Sequence, residues 1–289
     1  MMREAHLTWT EAIAEAPRQA WTIVEHAAPD SYDIVVAMGG DGTLHEVVNG
    51  ILRGRPDNPP ALAVIPAGTA NIFARALDLP AHPVAAARVL VHGVRRRIDV
   101  GQVNDRYFAT VAGTGFDAAV VALASRWPRW IGGKPRHVAA GLVTLATYRA
   151  APARLWIDGQ ERNESLFLLA VANTAWYGGG VHIAPHARVD DGLLSVIHIR
   201  DVGRIEAIRV LRQSFSGTHL NHPKVAHALA NEIRLDADAP LRIQADGEDV
   251  GALPARFRCV PGALELLVPP ATNPPLTAAP GAAASESAG

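Results

Sequence analysis

The sequence contains little cysteine, few aromatic residues and almost no net charge. A single cysteine, Cys259, occurs among 289 residues. It excludes an intramolecular disulfide framework and fits a reducing compartment, and we interpret it as a small buried hydrophobic residue. Aromatic residues make up 6% of the chain, and the formal net charge is −1. Global charge therefore gives no reason to expect a nucleic-acid partner, and phosphate binding would have to arise at a local site.

Long apolar runs are missing as well. The first residues, "MMREAHLTWTEAIAEAP", carry three glutamates and no continuous apolar core, so the sequence predicts neither a secretory signal nor a transmembrane segment. A cytoplasmic protein is the default expectation. The last stretch, residues 269–289, is dominated by Pro, Ala, Gly and Ser. Such a composition buries too little apolar surface to offset the entropy of ordering, which predicts a disordered tail.

The first part of the chain alternates predicted strands and helices. "DIVVAM" (33–38) predicts a strand buried on both faces, and the apolar spacing from Thr43 onward predicts a helix. A second unit begins with "ALAVIP" (61–66), continues through "AGTAN" into a short helix, and is followed by the predicted helix "PVAAARVLVHG". This alternation indicates a parallel sheet covered by helices, a three-layer α/β domain over residues 1–95.

Short strands at close spacing dominate after residue 95. The segments around "VNDR" and around Asp158-Gly159 predict β-hairpins, and several more strands follow. Two predicted helices, at about 135–150 and about 203–215, interrupt them. The pattern is typical of a β-sandwich over residues 96–268. The predicted fold class is therefore α/β plus β, with an N-terminal α/β domain and a C-terminal β-sandwich domain.

The loop "GGDGT" between the first strand and helix indicates a phosphate site. A helix begins with unpaired N–H groups that attract phosphate oxygens, and glycines at positions 39, 40 and 42 would let those oxygens reach the main chain. Thr43 can cap the helix or bond an oxygen. Asp41 would repel phosphates unless Mg²⁺ intervened, which suggests a bound cation. The simpler alternative is a tight turn with a capping aspartate.

A second loop, "PAGTAN" (66–71), repeats this logic after the next strand. Gly68 frees the backbone, and the side chains of Thr69 and Asn71 offer hydrogen bonds at the start of a helix. The carboxyl ends of neighbouring parallel strands meet at one edge of a sheet, so both loops are expected to form one cleft. The spacing matches neither a Walker loop nor a Rossmann fingerprint.

Six segments in order resemble the diacylglycerol kinase catalytic-domain family, which includes bacterial lipid kinases and sphingosine and ceramide kinases. They are "VVAMGGDGTLHEVVNGIL", "AVIPAGTANIFARAL", "IDVG", "GTGFDA", "YGGGVHIAPHARVDDGLLSV" and "ADGE". The resemblance covers about residues 10–268. It implies an ATP-binding α/β domain, a β-sandwich domain that contributes a catalytic acid, and phosphorylation of a hydroxyl of a lipid such as diacylglycerol or a sphingoid-like alcohol.

The resemblance also implies roles for individual residues. Gly39 to Thr43 resemble the loop that holds the nucleotide phosphates, with Glu46 just behind it, and Gly68, Thr69 and Asn71 resemble the second nucleotide loop. Glu248 in "ADGE" occupies the position of the general base, which a neutral alcohol needs in order to attack phosphorus. Without the family, Asp246-Gly247 would be an ordinary hairpin turn.

Metal ligands are implied in two places. Asp99 in "IDVG" matches an acid near the catalytic metal, and would otherwise pass as a surface strand residue. A second, structural Mg²⁺ is implied at Asp191, helped by main-chain oxygens of Arg188 and Leu193; as bare sequence this segment is a turn. His182 and His186 lack a metal-binding spacing, so we interpret them as loop residues.

The sequence departs from the family pattern at its beginning. The family opens with a strand and an Asn-Pro-x-Ser-Gly-type loop, and this sequence contains neither. Two explanations stay open: the start codon is misassigned, or the chain is truncated. Ile72 stands where many bacterial members carry aspartate. Two alternatives therefore stay open beside the lipid kinase: a member that binds lipid or nucleotide without catalysis, and an enzyme related to NAD kinases, which share the "GGDGT" loop.

A lipid substrate would be met at a membrane surface, which predicts a cytoplasmic protein with peripheral membrane association. The segment "SRWPRWIGGKPRH" (125–137) combines tryptophan with basic residues and suits an anionic membrane surface. The alternative interpretation of this segment is that its tryptophan rings pack in the core below a solvated basic loop. The oligomeric state stays open, a homodimer included.

Overall fold

Two β-sheets organise the chain, with helices on their outer faces. The computed structural model describes residues 8–27, 32–54, 58–128, 130 and 132–270. The tail predicted from residue 269 lies outside the described residues from position 271 onward, as do Arg129 and the side chain of Lys134 in the basic segment.

The N-terminal part builds parallel strands with helices packed against them. Its elements are α1 (Gln19–Glu25), β1 (Ile34–Gly39), α2 (Asp41–Gly54), β2 (Ala61–Pro66), α3 (Ile72–Ala76) and α4 (Pro83–His92). β1 and β2 are parallel neighbours. The apolar face of α2, with Val48 and Ile51 fully buried, shares a core with Leu62 of β2 and Phe73 of α3. The predicted strand, loop and helix units are confirmed.

β1 is less buried than the sequence predicts. Successive side chains of a strand point to opposite faces. Ala37 is buried, whereas Val36 and Met38 are 40% and 66% exposed. β1 is the outermost strand of its sheet, with β2 on one side and no strand of the described chain on the other. The prediction of a strand buried on both faces is therefore wrong for β1, because an edge strand has fewer covering neighbours.

The second part of the chain supplies mostly antiparallel strands. Its strands are β3 (Val94–Val103), β4 (Arg106–Phe108), β5 (Val111–Gly115), β6 (Ala151–Ile157), β7 (Gln160–Leu166), β8 (Leu168–Ala172), β9 (Leu194–Ile199), β10 (Val225–Ala230), β11 (Glu232–Asp236), β12 (Arg242–Ala245), β13 (Glu248–Ala252) and β14 (Ala255–Val268). Its helices are α5 (Phe116–Ser125), α6 (Gly133–Thr147) and α7 (Arg204–Ser214). Both predicted hairpins and both predicted helices are present.

The long strands β3 and β14 join the two parts. β14 pairs with β3 along one side, while its other side pairs first with β11 and then, at Leu266, with β2. The end of the described chain thus returns to the N-terminal sheet. The remaining strands form a second sheet in the order β10, β9, β8, β5, β12, β13. The predicted boundary near residue 95 falls at the start of β3 and stays a prediction.

An apolar core between the two sheets confirms the β-sandwich. It includes Phe108 and Phe257 from the first sheet and Leu169 and Val196 from the second. Cys259 belongs to the same core and is 5% exposed, as predicted for a small hydrophobic residue. Burial, together with the nearby carboxylates of Asp99 and Asp191, raises the pKa of its thiol to about 12.

Candidate active site

Two loops meet at the carboxyl ends of β1 and β2. Gly39 and Pro66 are paired at the ends of these strands, and the N–H of Ala67 donates to the carbonyl of Gly39 at 2.9 Å. α2 begins at Asp41, two residues before the predicted start at Thr43. Asp41 to Thr43 are therefore the first turn of a helix, where backbone N–H groups lack partners within the helix. The two loops are neighbours, as predicted, and the cleft between them stays a prediction.

Close packing requires three of the four glycines in these loops. A Cβ added to Gly68 would lie 2.4 Å from the Cα of Gly40, and one added to Gly39 would lie 2.5 Å from the hydroxyl oxygen of Thr43. The sequence explained these glycines by the approach of phosphates. Close packing already requires Gly39, Gly40 and Gly68, whereas a Cβ added to Gly42 would meet only Glu248, at an ordinary contact distance of 3.7 Å.

Gly68→Ala is expected to separate the two loops and destabilise the protein by about 1–3 kcal/mol, the usual cost of overpacking. It should also weaken nucleotide binding if both loops hold the nucleotide, as predicted, because the change moves one loop away from the other. Gly141→Ala is the matched control: it lies inside α6 with no atom within 4 Å of an added Cβ. That change should be neutral or stabilising by up to about 1 kcal/mol. Urea denaturation compares both variants, and equal stability of the two would contradict this account.

Asp41 connects the first loop to the second. Its Oδ1 accepts a hydrogen bond from the N–H of Phe73 at 3.3 Å, in the first turn of α3. Burial raises the pKa of Asp41, the hydrogen bonds from Phe73 and Ile72 oppose this, and the charge of Asp246 adds to the rise. Asp41 therefore caps a helix, as the simpler alternative predicts, but that helix is α3 and not α2. The N–H groups of this helix turn attract anions, so a cation at Asp41 would need phosphate or water oxygens as its other ligands.

Asn71 organises its own loop. Its backbone is left-handed at φ 46°, its Oδ1 accepts from the N–H of Gly68, and its Nδ2 donates to the carbonyl of Gly68, both at 3.0 Å. The side-chain amide is therefore engaged within the loop. Each of these bonds uses one donor or acceptor site of the amide, so the predicted nucleotide contact of Asn71 stays a prediction. Thr69 is exposed at the tip of the loop and stays a candidate.

Glu248 is brought to the first turn of α2. It is the first residue of β13 and is exposed, and its Oε1 lies 3.7 Å from the position of a Cβ added to Gly42. The preceding residues Asp246 and Gly247 have φ 51° and 85° and make the predicted hairpin turn. Residues far apart in sequence thus place a carboxylate beside the loop predicted to hold phosphates.

Asp246 is a buried anchor for that turn. Its Oδ1 accepts from the N–H and hydroxyl of Thr110 at 2.8 and 2.5 Å, and its Oδ2 accepts from the N–H of Ala109 at 2.9 Å. His45 Nδ1 lies 3.1 Å from Oδ2. Burial alone would raise the pKa of Asp246, but hydrogen bonds from His45, Thr110 and Ala109 and the charge of His45 leave it lowered. The sequence did not indicate that His45 is a partner of Asp246, and it predicted Asp246 only as a turn residue.

Gln244 links the turn to a second buried carboxylate. Its Oε1 accepts from the N–H of Gly247 at 3.0 Å, and its Nε2 donates to Asp117 Oδ2 at 3.1 Å. Asp117 Oδ1 accepts from the N–H of Ala118 at 2.8 Å. Burial raises the pKa of Asp117 to about 7, because these few hydrogen bonds do not offset desolvation.

Asp117→Asn is expected to make the protein more stable above pH 7. The pKa of Asp117 is about 7 in the folded protein against an ordinary 3.8, so the folded state retains a proton that the unfolded chain releases. Its contribution to stability therefore falls as pH rises from about 4 to about 7. Urea denaturation at pH 5 and pH 8 should show a larger gain at pH 8. The exposed Asp201→Asn should show no such difference, and equal gains at both pH values would contradict the assignment.

Glu46 and Asp99 have structural partners that the sequence did not indicate. Both oxygens of Glu46 cap α1, accepting from the N–H of Arg18 at 2.7 Å and of Ala20 at 3.1 Å. Asp99 is 4% exposed, and its oxygens accept from the N–H groups of Gly192 and Gly262 at 2.7 Å each. These contacts give both acids a structural role, and the predicted nucleotide role of Glu46 and metal role of Asp99 stay predictions. They also exclude Asp99 as a surface strand residue.

The structural Mg²⁺ site that the resemblance implies at the turn 188–193 stays a prediction. Asp191 is exposed, and its Oδ1 accepts from the N–H of Leu193 at 3.0 Å, which is the turn geometry of the simpler alternative. The guanidinium of Arg188 binds Asp190 at 3.0 Å. Among the described residues no three His, Cys, Asp or Glu side chains converge enough to hold a metal ion. Any Mg²⁺ would therefore need main-chain, phosphate or water oxygens.

Two further sequence features are placed by the structure. His182 stacks on Trp176 with ring centroids 4.1 Å apart, and burial followed by the charge of His186 lowers its pKa. In the basic segment, Trp130 is 85% exposed, so the core alternative is wrong for it. No helix in the described ranges is both long enough and apolar enough to cross a bilayer.

Comparison with known proteins agrees with this architecture. A family model described as the diacylglycerol kinase catalytic domain matches residues 1–103. A second, described as the YegS C-terminal NAD kinase beta sandwich-like domain, matches residues 110–268. Solved structures from Bacillus anthracis str. Sterne show the same fold. One has a TM-score of 0.74 at 23% identity over 89% of this chain and 83% of its own. Another, of a diacylglycerol kinase, has a TM-score of 0.67 at 21% identity, with 89% and 84% covered.

Curated relatives show the family. A diacylglycerol kinase of Bacillus subtilis (strain 168) is 33% identical over 234 residues, which cover 81% of this chain and 77% of the relative. A diacylglycerol kinase of Staphylococcus epidermidis (strain ATCC 12228 / FDA PCI 1200) is 34% identical over 262 residues, covering 90% and 80%. With six ordered motifs, two sheets in the expected arrangement and these matches, the chain belongs to the diacylglycerol kinase catalytic-domain family and is an enzyme of the kinase class.

Proposed function

We propose that this chain transfers the γ-phosphate of ATP to a hydroxyl of a lipid, with diacylglycerol as the first candidate and a sphingoid-like alcohol as the second. The observation that carries the proposal is the position of Glu248 beside Gly42, at the first turn of α2. A proton acceptor and unpaired N–H groups for phosphate oxygens then lie side by side. The diacylglycerol kinases named among the relatives support a lipid acceptor of that class.

In this proposal each group has one task. The N–H groups of Gly42 and Thr43 hold phosphate oxygens, and Glu248 takes the proton of the lipid hydroxyl as its oxygen attacks the γ-phosphorus and ADP leaves. Asp246 and Gln244 hold the turn that carries Glu248. Mg²⁺, bound through Asp41 and the phosphates, would neutralise phosphate charge. Phosphoryl transfer demands little else of the protein than positioning and electrostatic stabilisation.

The test is an assay with ATP labelled in its γ-phosphate against a total lipid extract, with the product identified by mass. Separate reactions offer diacylglycerol, a sphingoid alcohol and NAD. Labelled phosphatidic acid is the expected product. Labelled NAD would favour the NAD kinase alternative, and nucleotide binding without any labelled product would favour the non-catalytic one. Either result would overturn the proposal.

A further inference from the structure

A stripe of large apolar side chains lies on the outside of α7. The opposite side of α7 is already buried, because Ala207 and Val210 pack into the core on the outer face of the second sheet. The stripe consists of Ile205, Ile208, Leu211 and Phe215, which are 82%, 47%, 47% and 51% exposed. Spacings of three and four residues place them along one side of the helix. We call these four residues the α7 stripe.

Three arginines accompany the α7 stripe. Arg204, Arg209 and Arg212 are exposed, and none of them has a carboxylate partner within the part of the chain that the structure describes. Glu206, the one acid of this helix, binds Lys224 at 2.8 Å. The surface therefore combines an uncovered apolar stripe with uncompensated positive charge. A partner that fits it must be apolar and anionic at once.

A second copy of the chain fits this surface poorly. Two α7 stripes in contact would bring two sets of unpaired arginines together, and like charges at a desolvated contact are unfavourable. An anionic bilayer fits better, because an interfacial helix buries its apolar side at the boundary of headgroups and acyl chains while arginine side chains reach the phosphates.

α6 presents a related surface nearby. Val138 and Leu142, one turn apart, are 66% and 67% exposed, and Trp130, which precedes the helix, is 85% exposed. Leu145 of α6 packs against the same core as Val210 of α7. Both helices therefore pack against the same apolar core on the second sheet.

We propose that α7 docks the protein on the surface of an anionic lipid bilayer, with the α7 stripe inserted at the headgroup boundary and its arginines among the lipid phosphates. This inference rests on the proposed function, because a diacylglycerol acceptor resides in a bilayer. It identifies α7 as the helix that brings the enzyme to its lipid acceptor.

The test is sedimentation of the full chain with vesicles of phosphatidylglycerol and phosphatidylcholine, compared with phosphatidylcholine alone. The wild type should bind the anionic vesicles, and added salt should weaken this binding. Arg204→Gln and Arg212→Gln should each weaken binding about fivefold. The triple variant Ile205→Ser, Ile208→Ser, Phe215→Ser should lose it. Two changes on α4, Val84→Ser and Arg88→Gln, are controls at exposed positions and should bind like the wild type.

Kinase assays separate failure of docking from failure of the proposed function. Stripe variants should keep wild-type activity on a short-chain, water-soluble diacylglycerol and lose activity on acceptor embedded in vesicles. Equal vesicle binding by wild type and stripe variants would overturn docking, whatever the activity. A wild-type dimer that the stripe variants convert to monomer would also overturn it, because α7 would then be a contact between copies. Absence of activity on every lipid would overturn the proposed function. Vesicle sedimentation would still measure docking in that case.

Discussion

Glu248→Gln is expected to lower kcat by about 10²- to 10⁴-fold, the contribution typical of a general base, while nucleotide affinity stays near that of the wild type. Gln has the shape of Glu without its capacity to accept a proton. Because the side chain of Glu248 is exposed, the fold should be unaffected. Turnover on a lipid acceptor measures the first effect, and calorimetric titration with nucleotide measures the second.

Asp249→Asn is the matched control for this change. Asp249 follows Glu248 directly on β13, and its carboxylate binds Arg242 at 2.5 Å in a partly exposed pair. Pairs of this kind contribute at most about 1 kcal/mol, and the carboxylate is committed to Arg242. kcat should therefore stay within about twofold of wild type. Full turnover by Glu248→Gln would remove Glu248 as the base, whereas equal loss in both variants would indicate damage to the turn.

The sequence predicts the local units of this fold well. Strand, glycine loop and helix recur where the pattern placed them, because short-range spacing and turn residues dictate them. Asp158 and Gly159, for example, both have positive φ and join β6 to β7 as predicted. β10 went unpredicted, since "VAHALA" alternates apolar and polar side chains only weakly. The start of α2 was missed by two residues because glycine and aspartate there are compatible with either loop or helix.

The roles of individual acids could be predicted less well. Glu46, Asp99 and Asp246 all have partners far away in the sequence, and no local pattern reveals which N–H groups will lie near a carboxylate. The resemblance to the family supplied roles for Glu248, Glu46 and Asp99, and these roles stay predictions. In the structure Glu46 and Asp99 satisfy backbone donors, a need that arises only after folding.

Asp246→Ala is expected to destabilise the protein by about 3–5 kcal/mol, the cost of removing one member of a buried, hydrogen-bonded charge network. The backbone donors of Ala109 and Thr110 would lose their acceptor, and His45 would face an apolar gap. A domain has only about 5–15 kcal/mol to lose. Activity should fall as well, because Asp246 anchors the turn that holds Glu248. Urea denaturation at pH 7 measures the loss of stability.

The pH dependence of the Asp246 contribution has a definite sign. Its pKa is lowered in the folded protein, so the unfolded chain binds a proton first as pH falls. The contribution is therefore fully present above the ordinary carboxyl pKa of 3.8 and is lost as pH drops below it toward the folded-state value. The stability difference between wild type and Asp246→Ala should accordingly shrink in that acid range.

Two further variants decide whether the network or the charge alone is responsible. Asp246→Asn keeps one oxygen acceptor and should recover part of the stability but none of the acid dependence. Asp238→Ala removes an exposed aspartate on the loop before β12 and should change stability by no more than about 0.5 kcal/mol. If Asp246→Ala were as mild as Asp238→Ala, the carboxylate would not anchor the turn. The position of Glu248 beside Gly42 would then have to be explained by the β12–β13 hairpin alone.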